Sequence, residues 1–586
     1  MPYSINELKQ PEVIVAGRDI LIECLDNTRK ITPAGGGSSV LAIMILYLIY
    51  KYLESGFNEP LSLNLIISNK LDLSPVVYNN VERLTHDRYL NLINNLIKRD
   101  SNPKHYASAI VFGLVDSRFL ASGSNAYMES GIGTPSSIAE LAVRILHINS
   151  KDYVADICCG KGDFLVKAAS ESRIISFDGY EINIPVIAVA TIRAEILGVK
   201  AQFVMGDAIY NLSDNNTKYD KIFSNFPFGQ RSRGNEIAVS KPYLKRNRYY
   251  DWIFIDAICS HLADHGKAVA VVSNGMLWNT LDRSAREHFI NSGEIEAVIK
   301  LPKRLFSPYT AAPTSILVLS KNNKNVRFVD ATKIISRSYD GIYDNKLSEE
   351  DIEQILKALE NDSDIGITIE KGTIAENDYS LDIRIYNATK KTYENGVKLK
   401  DVADIVRGVD DIRSDYGEMT TESGLQVLRL SDISDSIIPQ ELTKLDDKDY
   451  SPKYITLEDG DIILSRNPNP VKVALYNGDN NRRIVPSGNL YVIRCDKNKI
   501  KPSYLASFFL SSEGRSALDN IATGSFIRTI GMGSLENLTI PLADREQQIT
   551  IEREIYRTQQ ELCELKMRLD YLQHKLRSIY NHMEGK

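Results

Sequence analysis

The 586-residue chain has 43% hydrophobic and 25% charged residues, ordinary values for a globular protein, and enough length for about three or four domains. A net charge of −6 does not announce a nucleic-acid binder, so any such role has to rest on a local basic patch. The six cysteines (Cys24, Cys158, Cys159, Cys259, Cys495 and Cys563) make no CxxC pair, which points to no metal site and no disulfide framework and fits a reducing cytoplasm.

Residues 1–125 have the texture of a helical N-terminal domain, with apolar runs such as LNLINNLI between polar and Gly/Pro breaks. The most apolar run, VLAIMILYLIY at 40–50, is too short for a bilayer, which needs about 20 residues. Acidic and polar residues precede it, so it is no signal peptide either, and a buried helix is expected. The AGGGSS stretch at 34–39 lacks the Lys-Ser/Thr of a phosphate loop and reads as a helix-entry turn.

From about 130 to 325, short apolar runs (YVADICC, IISFDGYE, AQFVMGDA, YDKIFSNF, KAVAVVSN, IEAVIKL, SILVLSK) alternate with helical patterns. This predicts an α/β domain with a mostly parallel sheet, closed by the mixed, acidic stretch 326–395. In VADICCGKGDFL, a strand ends at Asp156, turns through Gly160 and Gly162, and enters a helix. Glycines there let backbone approach a ligand closely. Glu181 ends the second strand about 20 residues on, where a carboxylate can accept from both ribose hydroxyls. Asp207 follows the third strand, where it can accept from an adenine amino group. Each carboxylate alone reads as a solvated strand end or a helix cap; the three in order point to a nucleoside cofactor.

The fourth strand runs into SNFPFG, 224–229, which puts Asn225 at the carboxyl edge of the sheet. Transfer of a methyl group to an exocyclic amine needs acceptors at that place. The adenine amine lone pair is delocalised into the ring; the side-chain carbonyl of Asn225 and the main-chain carbonyl of Phe226 can draw its N–H bonds toward a geometry that localises it. Pro227 restrains residue 226 toward extended backbone. Phe228 can stack on a base rotated out of a duplex. A cytosine-C5 enzyme instead needs a thiolate, usually after proline, and no cysteine follows proline here. Asn at the first loop position favours adenine-N6 over cytosine-N4.

After the loop, Arg231, Arg233, Lys241, Lys245, Arg246 and Arg248 stand against one acid, Glu236, interleaved with Tyr243, Tyr249 and Tyr250, a mixture suited to phosphates and an unstacked base. Residues 396–545, with short strands and many turns, read as an α+β domain. In it Arg407, Arg466 and Asn467 are chemically able to read base edges, but surface arginines usually do not, so no base-reading role is assigned to them. Residues 546–586 read as one helix. From Leu562 its apolar positions (Leu565, Leu569, Leu572, Leu576, Ile579, Met583) follow a 3,4 spacing, a coiled-coil signal.

Residues 130–385 resemble the modification subunit of type I restriction-modification systems, the N6-adenine DNA methyltransferases. GTPSSIAELAVRIL (133–146) is similar to the helix over the cofactor's methionine part, with Thr134 and Pro135 matching. DICCGKGDFL (156–165) resembles the family's Asp-Pro-Ala-Cys-Gly-Ser-Gly-Gly-Phe-Leu, and SNFPFG takes the place of Asn-Pro-Pro-Phe. DWIFIDAICSHL, LPKRLFSP, TSILVLSK and ENDYSLDIRIY resemble the segments that follow. The resemblance implies a Rossmann-like class I methyltransferase domain over 126–395, S-adenosylmethionine as cofactor and an adenine in double-stranded DNA as substrate. Three departures matter: Ile157 for proline, Asp163 for glycine, and Phe226 for proline. A catalytically impaired DNA-binding module is the alternative those departures raise.

VKLKDVADIVRGVD (397–410), EDGDIILSR (458–466), KPSYLASFFLSSEGR (501–515) and ENLTIPLADREQQ (536–548), with the heptad helix, resemble one half of a type I specificity subunit. This implies a DNA target-recognition domain over 396–545 and a coiled-coil spacer helix over 546–586. A half subunit implies a homodimer through antiparallel helices, and a two-part symmetric site. No GxxxxGK[ST] motor loop is present, so any cleavage is expected from a separate restriction subunit.

Overall fold

In a computed structural model of the protein, the alternation between residues 130 and 325 forms the bulk of one nine-stranded sheet. The structure describes residues 3–583 apart from 33–37, 58–60, 63–64, 66–70, 80–83, 114–132, 231–240, 245–248, 307–309, 335–345, 389–392, 410–424, 434–437, 445–454, 468–470, 479–481, 524–527 and scattered single positions. The strands are β1 (Tyr153–Ile157), β2 (Ser176–Glu181), β3 (Lys200–Met205), β4 (Tyr219–Ser224), β5 (Leu262–Ser273), β6 (Ile295–Lys300), β7 (Thr314–Leu319), β8 (Asn325–Asp330) and β9 (Gly366–Glu370), in the order 3-2-1-4-5-7-6-8-9. β7 runs antiparallel between β5 and β6, β9 runs antiparallel along β8, and the other pairings are parallel. This is the α/β arrangement with a mostly parallel sheet expected from the sequence. β1 pairs with β2 on one side and β4 on the other, so the winding reverses across it. In open α/β sheets the crevice outside the carboxyl ends at such a switch point receives the ligand.

Strands covered on both faces need no polar alternation. Val269 to Val272 and Ile316 to Leu319 are accordingly all buried. The run at 40–50 lies within the helix Ser38–Ser55, and Leu41 to Tyr50 are buried without exception. A helix with no polar face needs cover all round. The equally apolar helix Ile184–Leu197 supplies part of it, and Tyr47 Oη donates to Glu195 Oε1 at 2.6 Å. The N-terminal helices and the sheet thereby share one hydrophobic core. Of the AGGGSS stretch, residues 34–37 lie outside the described residues.

The chain divides into two compact units, Met1–Thr373 and Ile374–Lys586. The division falls ahead of the change of texture at 395/396, because the helix Ile383–Ala388 packs on the helix Ser512–Ile521. The second unit holds a four-stranded antiparallel sheet, ordered Ala403–Arg407, Leu490–Cys495, Ile462–Ser465, Val473–Leu475, and a three-stranded one, ordered Thr443–Lys444, Leu425–Leu428, Arg483–Pro486. The helices Pro502–Leu510 and Ser512–Ile521 complete the core of the larger sheet.

The tail is one helix of 39 residues, Arg545–Met583. Its start is tied down: Gln548 Oε1 accepts from Lys501 N at 2.9 Å, and Lys501 Nζ and Ser503 Oγ donate to Glu552 at 2.6 and 2.7 Å. Farther on, Leu565, Leu569 and Leu572 are 67%, 55% and 41% exposed. The side chains of Ile555, Leu562, Leu576, Ile579 and Met583 lie outside the described residues. Among the described residues no helix is long and apolar enough to cross a membrane, and no cluster of three or more His, Cys, Asp or Glu could hold a metal.

Candidate active site

The turn after β1 is a backbone device. Cys158, Gly160 and Gly162 all have left-handed φ (73°, 53° and 79°), which glycine adopts without strain and cysteine does not. The turn is pinned to β2: Cys159 N donates to the Tyr180 carbonyl at 2.9 Å and Gly160 N to Glu181 Oε2 at 3.0 Å. A Cβ built on Gly160 would meet nothing within 4 Å, so this face of the turn stands open. Beneath it Asp156 is buried, and its Oδ1 has no hydrogen-bond partner. Burial, helped by the Glu181 and Asp163 carboxylates, pushes the Asp156 carboxyl well above its usual range. A buried acceptor left unpaired is costly, and one at a switch-point crevice fits a cationic or donor group of a ligand. Burial likewise pushes the thiols of Cys158, Cys159 and Cys259 well up, so none is a ready thiolate.

Glu181 is oriented by its two oxygens. Oε2 accepts from Gly160 N and Oε1 from Asn183 N at 2.9 Å, and each oxygen retains accepting capacity. Asp207 caps the short helix Ala208–Ser213, Oδ1 accepting from Ile209 N at 2.9 Å. Between these acids stand two apolar side chains that the sequence reading passed over. Met205 pairs in register with Glu181 and is 58% exposed, and Ile182 is 69% exposed. Large apolar groups held in the open beside two carboxylates suit the flat face of a nucleobase. Their signal in the sequence was only their place next to the acids.

The SNFPFG loop meets the segment before the helix Ser136–Leu146. Asn225 Nδ2 donates to Thr134 Oγ1 at 3.1 Å, and Pro135 is the residue that caps that helix. With its nitrogen engaged, Asn225 keeps its carbonyl oxygen free of any donor among the described residues, as does the Phe226 main-chain carbonyl. The Phe226 ring is buried and stacks on Phe254 at 4.7 Å with an interplanar angle of 5°. Pro227 is exposed. Phe228 is half-buried, tilted nearly perpendicular to Phe226 and to Phe306 at centroid distances of 6.4 and 6.3 Å.

The far end of the loop is held by Asp251, a residue not singled out from the sequence. Its Oδ1 accepts from Gly229 N at 3.0 Å and its Oδ2 from Ser273 Oγ at 3.4 Å. Burial raises its pKa, and these two bonds pull the other way. Its position at the start of the helix Asp251–His261 was the available signal.

The added acid at the helix start has a partner. Arg193, fully buried, donates through Nη1 to Asp163 Oδ1 at 2.8 Å and to the Lys161 carbonyl at 3.0 Å, and through Nε to the Ile110 carbonyl at 3.1 Å. Of the basic stretch after the loop, Arg231, Arg233, Glu236, Lys245, Arg246 and Arg248 lie outside the described residues. Lys241 Nζ and Tyr243 Oη both donate to Asp256, at 2.5 and 2.6 Å, and Tyr243 stacks on His288. In the second unit, Arg407 and Arg466 both donate to the Gly488 carbonyl, at 3.2 and 3.1 Å, so both help hold that turn.

Residues 124–395 match the family model described as N-6 DNA Methylase. The chain is 24% identical over 324 residues to the type I restriction enzyme MjaVIII methylase subunit of Methanocaldococcus jannaschii, an overlap of 50% of this chain and 54% of that one. It is 26% identical over 318 residues to the MpnII methylase subunit of Mycoplasma pneumoniae, 48% of this chain and 58% of that one. The chain spans about half the length of the curated relatives it matches. Among solved structures, a type I restriction-modification methyltransferase subunit from Streptococcus thermophilus is similar with a TM-score of 0.46 and 19% identity, over 63% of this chain and 98% of that one. Over residues 124–395 the chain is therefore similar to the N-6 DNA methylase family.

Proposed function

We propose that the protein transfers a methyl group from S-adenosylmethionine to the exocyclic N6 of an adenine rotated out of double-stranded DNA, as the modification and specificity component of a restriction-modification system. The observation that carries this reading is the Asn225 amide: its nitrogen is held by Thr134, which leaves its oxygen, beside the Phe226 carbonyl, as a pair of acceptors at the switch-point crevice. Those two oxygens take the two N–H bonds of the amine and turn its lone pair toward the donor methyl. Phe228 supplies a braced ring for the extruded base, and Asp251 fixes the loop end.

The crevice fits the cofactor. Asp156 Oδ1 would take the amino group of its methionine part, Glu181 the ribose hydroxyls, Asp207 the adenine amine, with Ile182 and Met205 against the ring; Gly160 leaves room, Gly162 lets the turn pack close to Ala190, and Thr134 and Pro135 shape the lid over the methionine end. When bound, the cofactor supplies a methyl on a sulfonium, whose positive charge is lost as the S–C bond breaks and the N–C bond forms. The amine then gives up a proton to water, so this chain needs no covalent nucleophile, in keeping with the raised thiols.

The second unit is read as the DNA target-recognition domain, and the helix Arg545–Met583, about 58 Å long at ~1.5 Å per residue, as a spacer whose exposed leucines pair with a second copy. The test is modification-sensitive sequencing of DNA from a methylation-free bacterial host expressing this chain alone. N6-methyladenine at a two-part symmetric motif is the expected result. Asn225→Ala should abolish it while cofactor affinity stays within about threefold, since only transition-state contacts are lost. Undiminished methylation by that variant would remove Asn225 from the mechanism.

A further inference from the structure

We propose that Lys161 receives the carboxylate of the cofactor's amino-acid end, an assignment that rests on the cofactor reading above. Lys161 sits between the two turn glycines and is only 6% exposed. A buried ammonium is rare and costly unless paired. Among the described residues Lys161 Nζ has no hydrogen bond and no ion pair. The acid that acts on it, Asp163, is already engaged by Arg193 at 2.8 Å.

The pairing at the turn leaves the lysine without a partner. Arg193 engages Asp163, so no ion pair is formed by Lys161 among the described residues. Burial pulls its pKa down and Arg193 adds to that, with Asp163 opposing. An arriving carboxylate would supply the missing partner.

The ammonium also faces the right place. A Cβ built on Gly133 would stand 3.7 Å from Lys161 Nζ and 3.0 Å from Asp163 Oδ2. Gly133 thus keeps clear the space where the lysine ends, and its neighbour Thr134 is the residue that holds Asn225. On the same turn Asp156 is an acid without a partner at Oδ1. An unpaired base and an unpaired acid on one turn match the two charges of an α-amino acid, the ammonium to Asp156 and the carboxylate to Lys161. The family motif carries serine where this chain carries Lys161, so the contact is particular to this sequence.

The experiment is calorimetric titration of the full chain and of Lys161→Met with S-adenosylmethionine and with 5′-methylthioadenosine, which lacks the amino-acid part. The expected result is a loss of about tenfold or more for S-adenosylmethionine, the value of one charged hydrogen bond, with 5′-methylthioadenosine unchanged within about twofold. The Tm of the ligand-free variant should be no lower than wild type, because an unpaired buried charge is gone. Equal loss of both compounds with a lowered ligand-free Tm would make Lys161 a structural counter-charge and overturn the assignment. So would wild-type affinity for both in the variant, with the cofactor reading left standing. Failure of the wild-type chain to bind either compound would overturn the cofactor reading and this assignment with it.

Discussion

Replacing Phe226 by proline, the residue of the family loop, tests what holds SNFPFG in place. Proline would fix φ through its ring. Phenylalanine fixes the same backbone by burial: its ring is 1% exposed and lies flat on Phe254 at 4.7 Å. Truncating a buried Phe costs about 3–5 kcal/mol, and a stacked pair adds about 0.5–1.5 kcal/mol. Proline restores some carbon and stiffens the unfolded chain by about 0.4–1 kcal/mol. Phe226→Pro should therefore destabilise by about 3 kcal/mol, and Phe226→Leu by about half as much. The assay is urea unfolding followed by tryptophan fluorescence. The two tryptophans, Trp252 and Trp278, both lie in the first unit, so the signal reports that unit alone. Phe226→Pro as stable as wild type would refute the claim that ring burial anchors the loop.

Three further outcomes are expected. Arg193→Met leaves the part-buried Asp163 without its cation and should cost about 3 kcal/mol; Arg193→Met with Asp163→Asn should recover most of it, as urea titrations of the single and double variants will show. Burial pushes the Asp282 carboxyl up to about 7, with Arg286 opposing and Asp251 adding. The folded chain then keeps a proton that the unfolded chain releases, so the stability this group confers is full below about pH 4 and is lost as pH rises toward 7. Asp282→Asn should be near neutral at low pH and stabilising by up to about 4 kcal/mol above neutrality, a shift that unfolding measured across pH will detect or exclude. Leu565→Asp with Leu569→Asp should turn a dimer into a monomer in light scattering at micromolar concentration; a wild-type monomer would sink the helix-pairing model.

The sheet was legible because strands and helices announce themselves by period, and because glycines and acids at strand ends are spaced by the geometry of a βαβ unit. Asp156, Gly160, Glu181 and Asn225 could be placed for that reason. Three things could not. Ile182 and Met205 carry no motif; their meaning comes from exposure, which needs the fold. Asp251 acts through two hydrogen bonds across 22 residues of sequence to Gly229 and Ser273. Arg193 looks like any helix arginine until the helix is seen to face the turn, 30 residues before it, where Asp163 waits. In each case the missing information is a contact distant in sequence, to which local pattern is blind.

That same blindness made the departures from the family motif look like decay. Asp163, read alone, adds a negative charge to a cofactor cleft; with Arg193 fully buried against it, the charge is cancelled. Phe226, read alone, loses a locked φ; with Phe254 stacked on it, the backbone is restrained by packing instead. A site released from selection loses contacts and acquires nothing specific in return. Here Asp163 and Phe226 each come with a buried partner supplied from outside the motif, and building such a partner costs desolvation or core space that an idle loop would not need. Those pairings favour a working methyltransferase over an impaired one, and they say where to look: double variants at 163/193 and 226/254 should couple in stability and in methylation together, whereas in a degenerate site only stability would respond.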